Sequence, residues 1–190
     1  MNDTLRTGIG LITIIASALH LLSDLMEAVS GGFTTSQLAI NYVGFLLMPF
    51  AFVGLAAYQW PKGGFAPVCL SVLYAVTFIY FAHTSLLAIE DRIPDYPTLR
   101  ARLGLIYTIH GAVMIFSGLG FAFVTIREGV LNKVGLVLFS SGLLLNLLAA
   151  LIPVSEMSQI VGSSARNLGL IVIGVIILLR SDQVGNTDSR

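Results

Sequence analysis

Residues 134–152 read VGLVLFSSGLLLNLLAALI, a run of nineteen residues without a charged side chain. A helix of about 20 mainly apolar residues crosses the roughly 30 Å hydrocarbon core of a bilayer, and this run has that length and character. Five other runs resemble it, so the sequence predicts six transmembrane helices. The predicted spans are residues 7–28, 37–58, 66–89, 103–126, 134–152 and 159–179.

The composition of the whole chain agrees with a membrane protein. Of its 190 residues, 56% are hydrophobic and 11% are charged, and the mean hydropathy is +0.90. A soluble domain carries about 25% charged residues, so this chain has too little polar material to cover a surface that faces water. We therefore predict an all-α, polytopic membrane protein, in which residues 1–190 form a single integral membrane domain and a six-helix bundle surrounded by lipid.

Two function classes are excluded at this stage. The ten basic and ten acidic residues are scattered along the chain, so no basic patch is available to bind nucleic acid. The short connections between the spans contain no Gly-rich loop that could bind a nucleotide, which excludes a built-in ATPase.

Lys and Arg residues in short loops predict the orientation of a membrane protein. With the N-terminus inside, six basic residues lie on the inner side and four on the outer side, so we expect the plasma (inner) membrane with both termini cytoplasmic. The inner six are Arg6, Lys62, Arg127, Lys133, Arg180 and Arg190, and the outer four are Arg92, Arg100, Arg102 and Arg166. Small residues at 28–30 leave open an alternative, in which the first span is a cleaved signal peptide.

Glycines recur every seven residues in three of the predicted helices. This spacing keeps them on one face of a helix, where a neighbouring backbone can approach closely. They are Gly104, Gly111 and Gly118 in the fourth span, Gly135 and Gly142 in the fifth, and Gly162 and Gly169 in the sixth. We expect a tightly packed bundle from this pattern.

A polar stripe runs along the first span. Its members are separated by three or four residues and so share one helix face; they are Thr13, Ser17, His20, Asp24 and Glu27. An ionisable side chain near the centre of a membrane helix costs on the order of 3 kcal/mol, so this stripe is predicted to face the inside of the bundle.

Polar residues of the other helices lie near the same side of the membrane. They fall within about ten residues of the helix ends, which is roughly 15 Å along a helix. Together with His20, Asp24 and Glu27, the predicted ligand-binding residues are Asn41, Tyr80, His83, Tyr107, His110, Asn146, Arg166 and Asn167. We expect them to line a polar pocket in the outer half of the bundle, open to that side.

The three histidines allow a metal or haem site. A zinc-like ion would take the four ligands His20, Asp24, His83 and His110, and two of the histidines could instead hold a haem iron from both sides. No HExxH, HxxxH or CxxC spacing supports either cofactor. Hydrogen bonds between the histidines and Tyr80 or Tyr107 on neighbouring helices are the structural alternative.

The charged residues of this set also have two interpretations. Asp24 and Glu27 beside Arg166 are typical of a substrate or proton site, or of a structural ion pair. Carboxylates and histidines could also act as general acid and base, whereas a serine nucleophile lacks its usual sequence context. Residues 90–97, with two prolines and mixed charges, could form a lid or an ordinary loop.

Three hypotheses about function follow. The first is a protein of ligand binding or transport that takes a small polar or amphipathic molecule. The second is a small intramembrane enzyme or redox protein that uses the His and Asp residues, with no catalytic residue assigned. The third is an accessory subunit that binds a membrane protein partner or a second copy of itself.

Overall fold

The computed structural model describes residues 1–152 and 156–184, with side chains described through residue 179. This part of the chain contains seven helices and no strand. The helices are α1 (Asp3–Ser30), α2 (Thr35–Gln59), α3 (Phe65–Glu90), α4 (Tyr96–Leu103), α5 (Leu105–Glu128), α6 (Lys133–Leu151) and α7 (Glu156–Val184). All except α4 are long and apolar enough to cross a membrane, which confirms the predicted helical membrane bundle of six spans.

Capping residues explain where several helices begin and end. The side chains of Asn2, Thr34 and Asn132 each accept a hydrogen bond from a backbone N–H in the first turn of α1, α2 and α6. Helix α1 ends at Gly31, whose φ of 69° is in the left-handed region and whose N–H donates to the carbonyl oxygen of Glu27. Pro49 lies inside α2, which remains one helix.

The long helices alternate in direction, and α4 lies at one end of the bundle. We call this end the α4 face; α1, α3 and α6 end there and α2, α5 and α7 begin there. Helix α1 packs between α2 and α7, α2 packs on α3, and α6 packs on α7, while α5 contacts α3 and α6 less extensively. The six long helices therefore form a ring.

The fourth predicted span is wrong at its start. Residues 103 and 104 were expected to lie inside a continuous helix, but Leu103 ends α4 and Gly104 separates α4 from α5. Gly104 has φ 59° and ψ −137°, a conformation that interrupts helical hydrogen bonding and that glycine adopts at little cost. Ile152, the last residue of the fifth predicted span, lies just outside the helix, because it caps the C-terminus of α6.

The glycine pattern predicts the packing of α6 on α7 correctly. A Cβ atom at Gly142 would clash with the backbone nitrogen of Arg166 and the carbonyl oxygen of Gly162, and one at Gly135 would lie 2.8 Å from the carbonyl oxygen of Gly169. These two helices are therefore in backbone contact. The pattern fails in α5, where Gly118 is tightly packed but a Cβ at Gly111 would meet no atom within 4 Å.

The half of the bundle away from the α4 face has an aromatic core. The ring centroids of Phe52 and Tyr74 are 4.1 Å apart, and those of Phe121 and Phe139 are 6.5 Å apart. All four side chains are fully buried. This core joins α2, α3, α5 and α6 and leaves the other half of the bundle to the polar residues.

Candidate functional site

The polar stripe of α1 faces the inside of the bundle, as its spacing predicts. Thr13 and Ser17 are fully buried, and His20, Asp24 and Glu27 are 4%, 6% and 6% exposed. The stripe lies where α1 packs between α2 and α7, so its polar groups meet side chains of both helices.

Arg166 of α7 reaches His20 at about half the depth of the membrane. It lies ten residues from the start of α7, roughly 15 Å along the helix. Its Nη2 is 3.4 Å from His20 Nδ1 and 3.5 Å from His20 Nε2, and it donates to Ser163 Oγ at 3.1 Å. Its Nη1 is 3.5 Å from the sulfur of Met114, and the guanidinium lies 5.7 Å from the centre of the Phe78 ring. Only neutral groups therefore contact this cation among the described residues.

Asp24 is one helical turn from His20 and is held by a different partner. Its Oδ2 accepts a hydrogen bond from Asn167 Nδ2 at 3.2 Å, and its Oδ1 is 3.7 Å from His20 Nε2. In the described part of the chain, no carboxylate oxygen lies within 4.0 Å of a nitrogen of Arg166. The imidazole thus lies between the two charged groups. We call His20, Asp24, Ser163, Arg166 and Asn167 the polar cluster.

A second set of hydrogen bonds continues from the polar cluster toward the α4 face. Gln37 Nε2 donates to Ser23 Oγ at 2.8 Å and lies 3.5 Å from Glu27 Oε2. Ser23 Oγ in turn donates to the carbonyl oxygen of Gln37 at 3.3 Å. Asn41 lies one helical turn along α2 from Gln37 and is 7% exposed, and its Oδ1 has no hydrogen-bond partner among the described residues.

Helix α4 and the turn before it cover this end of the bundle. Leu99 and Ile93 are buried with Leu38 of α2 and Ala88 of α3, and the Phe33 N–H donates to the Pro94 carbonyl oxygen at 2.7 Å. Residues 90–97 therefore form a structured cap rather than an ordinary loop.

The start of α4 is fixed by a side-chain cap. Asp95 Oδ1 accepts a hydrogen bond from Thr98 N at 2.9 Å, and hydrogen bonds from the Thr98 side chain and from this backbone N–H hold the pKa of the Asp95 carboxyl below its usual value. Burial raises the pKa of Tyr96 well above its usual value, and nearby Tyr107 and Glu27 add to the effect. The ring of Tyr96 packs against Phe33 at a centroid distance of 5.0 Å. Tyr96 therefore lies between the cap and the polar residues below it.

The structure brings some predicted site residues together and leaves others apart. His20, Asp24, Arg166 and Asn167 are in contact, whereas His83 is exposed on the outer surface of α3. The remaining predicted residues take three positions. Glu27 and Asn41 lie toward the α4 face, Tyr80, Tyr107 and His110 lie between α3 and α5, and Asn146 faces Gly162 between α6 and α7.

The four-residue metal set is not assembled. His110 stacks on Tyr80 with ring centroids 3.7 Å apart, and its Nδ1 is 2.9 Å from the carbonyl oxygen of Ile106. His83 is exposed, and no group of three or more His, Cys, Asp or Glu residues in the described ranges could hold a metal ion. The four predicted ligands therefore do not form one group in the part of the chain that the structure describes.

Serine chemistry is not supported by the position of His20. Ser163 Oγ is 3.5 Å from His20 Nε2, and Asp24 lies at the same nitrogen. A catalytic triad needs the serine and the carboxylate at opposite ring nitrogens, so that one proton can pass while the other is held. This arrangement lacks that relay.

Several contacts of Arg166 were not predicted from the sequence. Ser163 precedes Arg166 by three residues and so shares its helix face, which is a pattern that the sequence contains. Met114 and Phe78 are apolar residues on other helices, and no spacing rule indicates that they meet a guanidinium.

The grooves of the described structure lie away from the residues that were predicted to line an open polar pocket. Two shallow apolar grooves lie on the outside of the bundle, one between α3 and α5 and the other at the end of α1, and neither includes a residue of the polar cluster. The cluster itself is packed among helices, and Arg166 and Asn167 are 3% and 0% exposed. Two polar atoms within it, Arg166 Nε and Asn167 Oδ1, have no hydrogen-bond partner among the described residues.

Comparison with family models, with curated proteins and with solved structures finds no match to this chain. Any functional conclusion therefore rests on the geometry of the polar cluster.

Proposed function

We propose that this membrane protein binds or transports a small polar or amphipathic ligand with an acidic group, and that Arg166 is the centre of its binding site. One observation carries the proposal: a buried guanidinium at mid-membrane depth contacts only neutral groups in the described structure, and its Nε has no partner. A guanidinium presents five N–H donors in a planar fork that matches carboxylate and phosphate groups.

A purely structural role for Arg166 would predict a different geometry. A buried charge is costly unless an opposite charge pairs with it directly, and removing one partner of such a pair costs about 3–5 kcal/mol. Asp24 is close enough to serve, yet its carboxylate bonds Asn167 and faces His20 instead. The free edge of Arg166 and the unpaired Asn167 Oδ1 are suited to a ligand that carries both an acceptor and a donor.

The polar cluster also has the properties that selective binding requires. Its side chains come from α1 and α7, two helices that pack closely, so their positions are fixed before a ligand arrives. His20 is further held by an edge contact with the Phe45 ring at a centroid distance of 4.6 Å. A preorganised site of this kind loses little conformational entropy on binding.

We infer a plasma (inner) membrane location with both termini cytoplasmic, which puts the α4 face outside. The support is the loop count of Lys and Arg described above. The test is Asp95→Cys in a Cys69→Ser background, labelled on intact cells with a membrane-impermeant maleimide. Labelling from outside is expected, and labelling only after lysis would contradict this orientation.

Thermal unfolding of the purified protein in detergent tests the ligand proposal. The solutes are short-chain carboxylates, phosphate esters, primary amines and neutral sugars of matched size. A ligand at 100 times its dissociation constant stabilises a protein by about 2.7 kcal/mol, which is readily measured as a rise in Tm. We expect at least one acidic solute to raise the Tm, and no amine or sugar to do so.

Two variants separate binding at Arg166 from a general charge effect. Arg166→Gln removes the guanidinium of the polar cluster, whereas Arg102→Gln removes an exposed guanidinium that lies 3.4 Å from Asp91 on the α4 face. Stabilisation by the acidic solute should disappear in Arg166→Gln and persist in Arg102→Gln. The proposal is wrong if no acidic compound, whether a water-soluble solute or a lipid, stabilises the wild type, or if both variants respond equally.

A further inference from the structure

Helix α5 is unburied in the half that lies near the α4 face. No residue of 105–114 is buried, whereas Ile115, Phe121 and four other residues between 115 and 125 are. Hydropathy does not separate the two halves, since Leu105, Ile106 and Ile109 are large apolar residues that are 73%, 59% and 50% exposed. This half of α5 therefore lacks a packing partner on much of its circumference.

Helix α6 shows the same change at the same depth. Its buried residues run from Gly135 to Leu143, and no residue of 144–151 is buried. Helices α1, α2 and α3 differ, because each keeps buried residues up to its end at the α4 face. Residues 157–161 at the start of α7 are also unburied, so the loss of packing is on the side of the ring that α5, α6 and α7 form.

Two glycines one heptad apart show where the helices diverge. A Cβ at Gly118 would lie 2.6 Å from Leu143 Cδ1 of α6, so α5 and α6 are in close contact there. A Cβ at Gly111, roughly 10 Å nearer the α4 face on the same side of α5, would meet no atom of the described residues within 4 Å. Close packing has given way to open space within two helical turns.

This half of α5 packs on α3 instead. The rings of Tyr80 and His110 stack at 3.7 Å, and those of Phe81 and Tyr107 are 5.6 Å apart. We call the unburied surfaces of residues 105–114 and 144–151, with the open space at Gly111, the lateral cleft.

The base of the lateral cleft borders the polar cluster. Met114, the last residue of the unburied half of α5, contacts Arg166 Nη1 through its sulfur at 3.5 Å. Ser163, which bonds Arg166 Nη2, is only partly buried, as is Leu147 on the α6 wall. By contrast, the α4 cap buries Ile93 and Leu99 over the ends of α2 and α3. Partly buried side chains thus border Arg166 on the side of the lateral cleft, whereas buried side chains close the ends of α2 and α3.

We propose that the ligand is an acidic-headgroup lipid of the bilayer, which enters through the lateral cleft and presents its acidic group to Arg166. This inference rests on the proposed function and names the class of ligand and its route. The cleft walls are apolar and suit acyl chains, and the guanidinium at the base supplies the charge complementarity that selects an anionic headgroup.

The experiment uses purified, delipidated protein in a neutral detergent. Phosphatidylglycerol, phosphatidylcholine, glycerol phosphate and inorganic phosphate are added separately, and the apparent affinity is taken from the rise in Tm. We expect phosphatidylglycerol to stabilise the wild type, and phosphatidylcholine and the two water-soluble phosphates to have little effect. Arg166→Gln should weaken the response to phosphatidylglycerol by about tenfold to a hundredfold, as expected from the loss of a charge-assisted hydrogen bond.

Matched variants test the cleft itself. Gly111→Leu fills open space inside the cleft, and Gly8→Leu fills equally open space near the N-terminus. Leu144→Trp enlarges the other wall at a residue that is 47% exposed, and Leu22→Trp makes the same change on α1 at 46% exposure. We expect the two cleft variants to lose the response to phosphatidylglycerol and the two control variants to keep it. If Gly111→Leu fails to fold, Leu144→Trp carries the test alone.

The outcomes distinguish this inference from the function on which it depends. If glycerol phosphate stabilises the wild type as strongly as phosphatidylglycerol, the lipid inference is overturned and the ligand-binding proposal survives. If phosphatidylglycerol acts equally on the cleft variants and the controls, the lateral route is overturned. If no lipid and no acidic solute acts on the wild type, both proposals are overturned.

Discussion

Gly142→Ala should strongly destabilise the bundle, although glycine is a poor helix former. In an exposed helix interior, Gly→Ala stabilises by up to about 1 kcal/mol through helix propensity. Here the new Cβ would collide with the backbone nitrogen of Arg166 and the carbonyl oxygen of Gly162. Backbone atoms cannot rotate away as a side chain can, so α6 and α7 would have to separate.

The size of the effect follows from the contact that would be lost. A separation of about 1 Å forfeits roughly a quarter to a half of the dispersion energy of each contact along the interface. Adding a methyl group to a well-packed interior costs about 1–3 kcal/mol, and backbone-to-backbone packing puts this site at the upper end of that range. We therefore expect the free energy of unfolding to fall by about 2–3 kcal/mol despite the gain in propensity.

The same substitution elsewhere in the chain provides the control. Gly111→Ala and Gly8→Ala place a Cβ where no atom lies within 4 Å, so both should be neutral or stabilising by up to about 1 kcal/mol. The assay is equilibrium unfolding in mixed micelles, followed by far-UV circular dichroism. Equal stabilities for all three variants would refute the argument that α6 and α7 are held by backbone contact.

Three further predictions concern single contacts. Replacing Asn167 by Ala removes the hydrogen bond to Asp24, so the free energy of unfolding should fall by about 1–3 kcal/mol. A double-mutant cycle with Asp24→Asn should show coupling between the two residues, and strictly additive effects would contradict the contact. Asp95→Ala should lower the free energy of unfolding by about 1 kcal/mol and speed amide exchange over residues 96–103, because it removes the N-cap of α4. Asp95→Asn should preserve this N-cap. Identical exchange rates in the two variants would mean that the N-cap does not hold α4. His83→Leu should change the free energy of unfolding by less than about 0.5 kcal/mol, because His83 is exposed. His20→Leu removes a hydrogen-bond acceptor from buried Arg166 and should lower the free energy of unfolding far more. A large loss of stability in His83→Leu would show that this side chain has a partner.

The six spans could be predicted because hydropathy is a local property of the sequence. A run such as residues 134–152 has no charged side chain and few polar ones to cover a water-facing surface, so its environment follows from composition alone. Hydropathy alone does not reveal the break at Gly104. Residues 96–103 connect directly to α5 in sequence, and only the unusual backbone angles of one glycine separate the two helices.

The site was predicted in part because one helix fixes its own geometry. The spacing of His20 and Asp24 puts them on one face of α1, and their cost in lipid turns that face inward. The spacing of Tyr80 and His83 does not show which of these two side chains faces a neighbouring helix. Both lie near one end of α3, but the rotation of that helix brings Tyr80 to α5 and leaves His83 on the surface.

Rotation and divergence of whole helices therefore decide which polar residues meet. Arg166 is far from His20 in sequence, and the two meet because α7 packs closely on α1, where a Cβ at Gly174 would lie 2.9 Å from the carbonyl oxygen of Gly10. Met114 reaches the same guanidinium from α5, just where that helix begins to leave α6. The close packing that buries Arg166 on one side thus ends beside it on the other, and this asymmetry is the basis of the proposed lateral route.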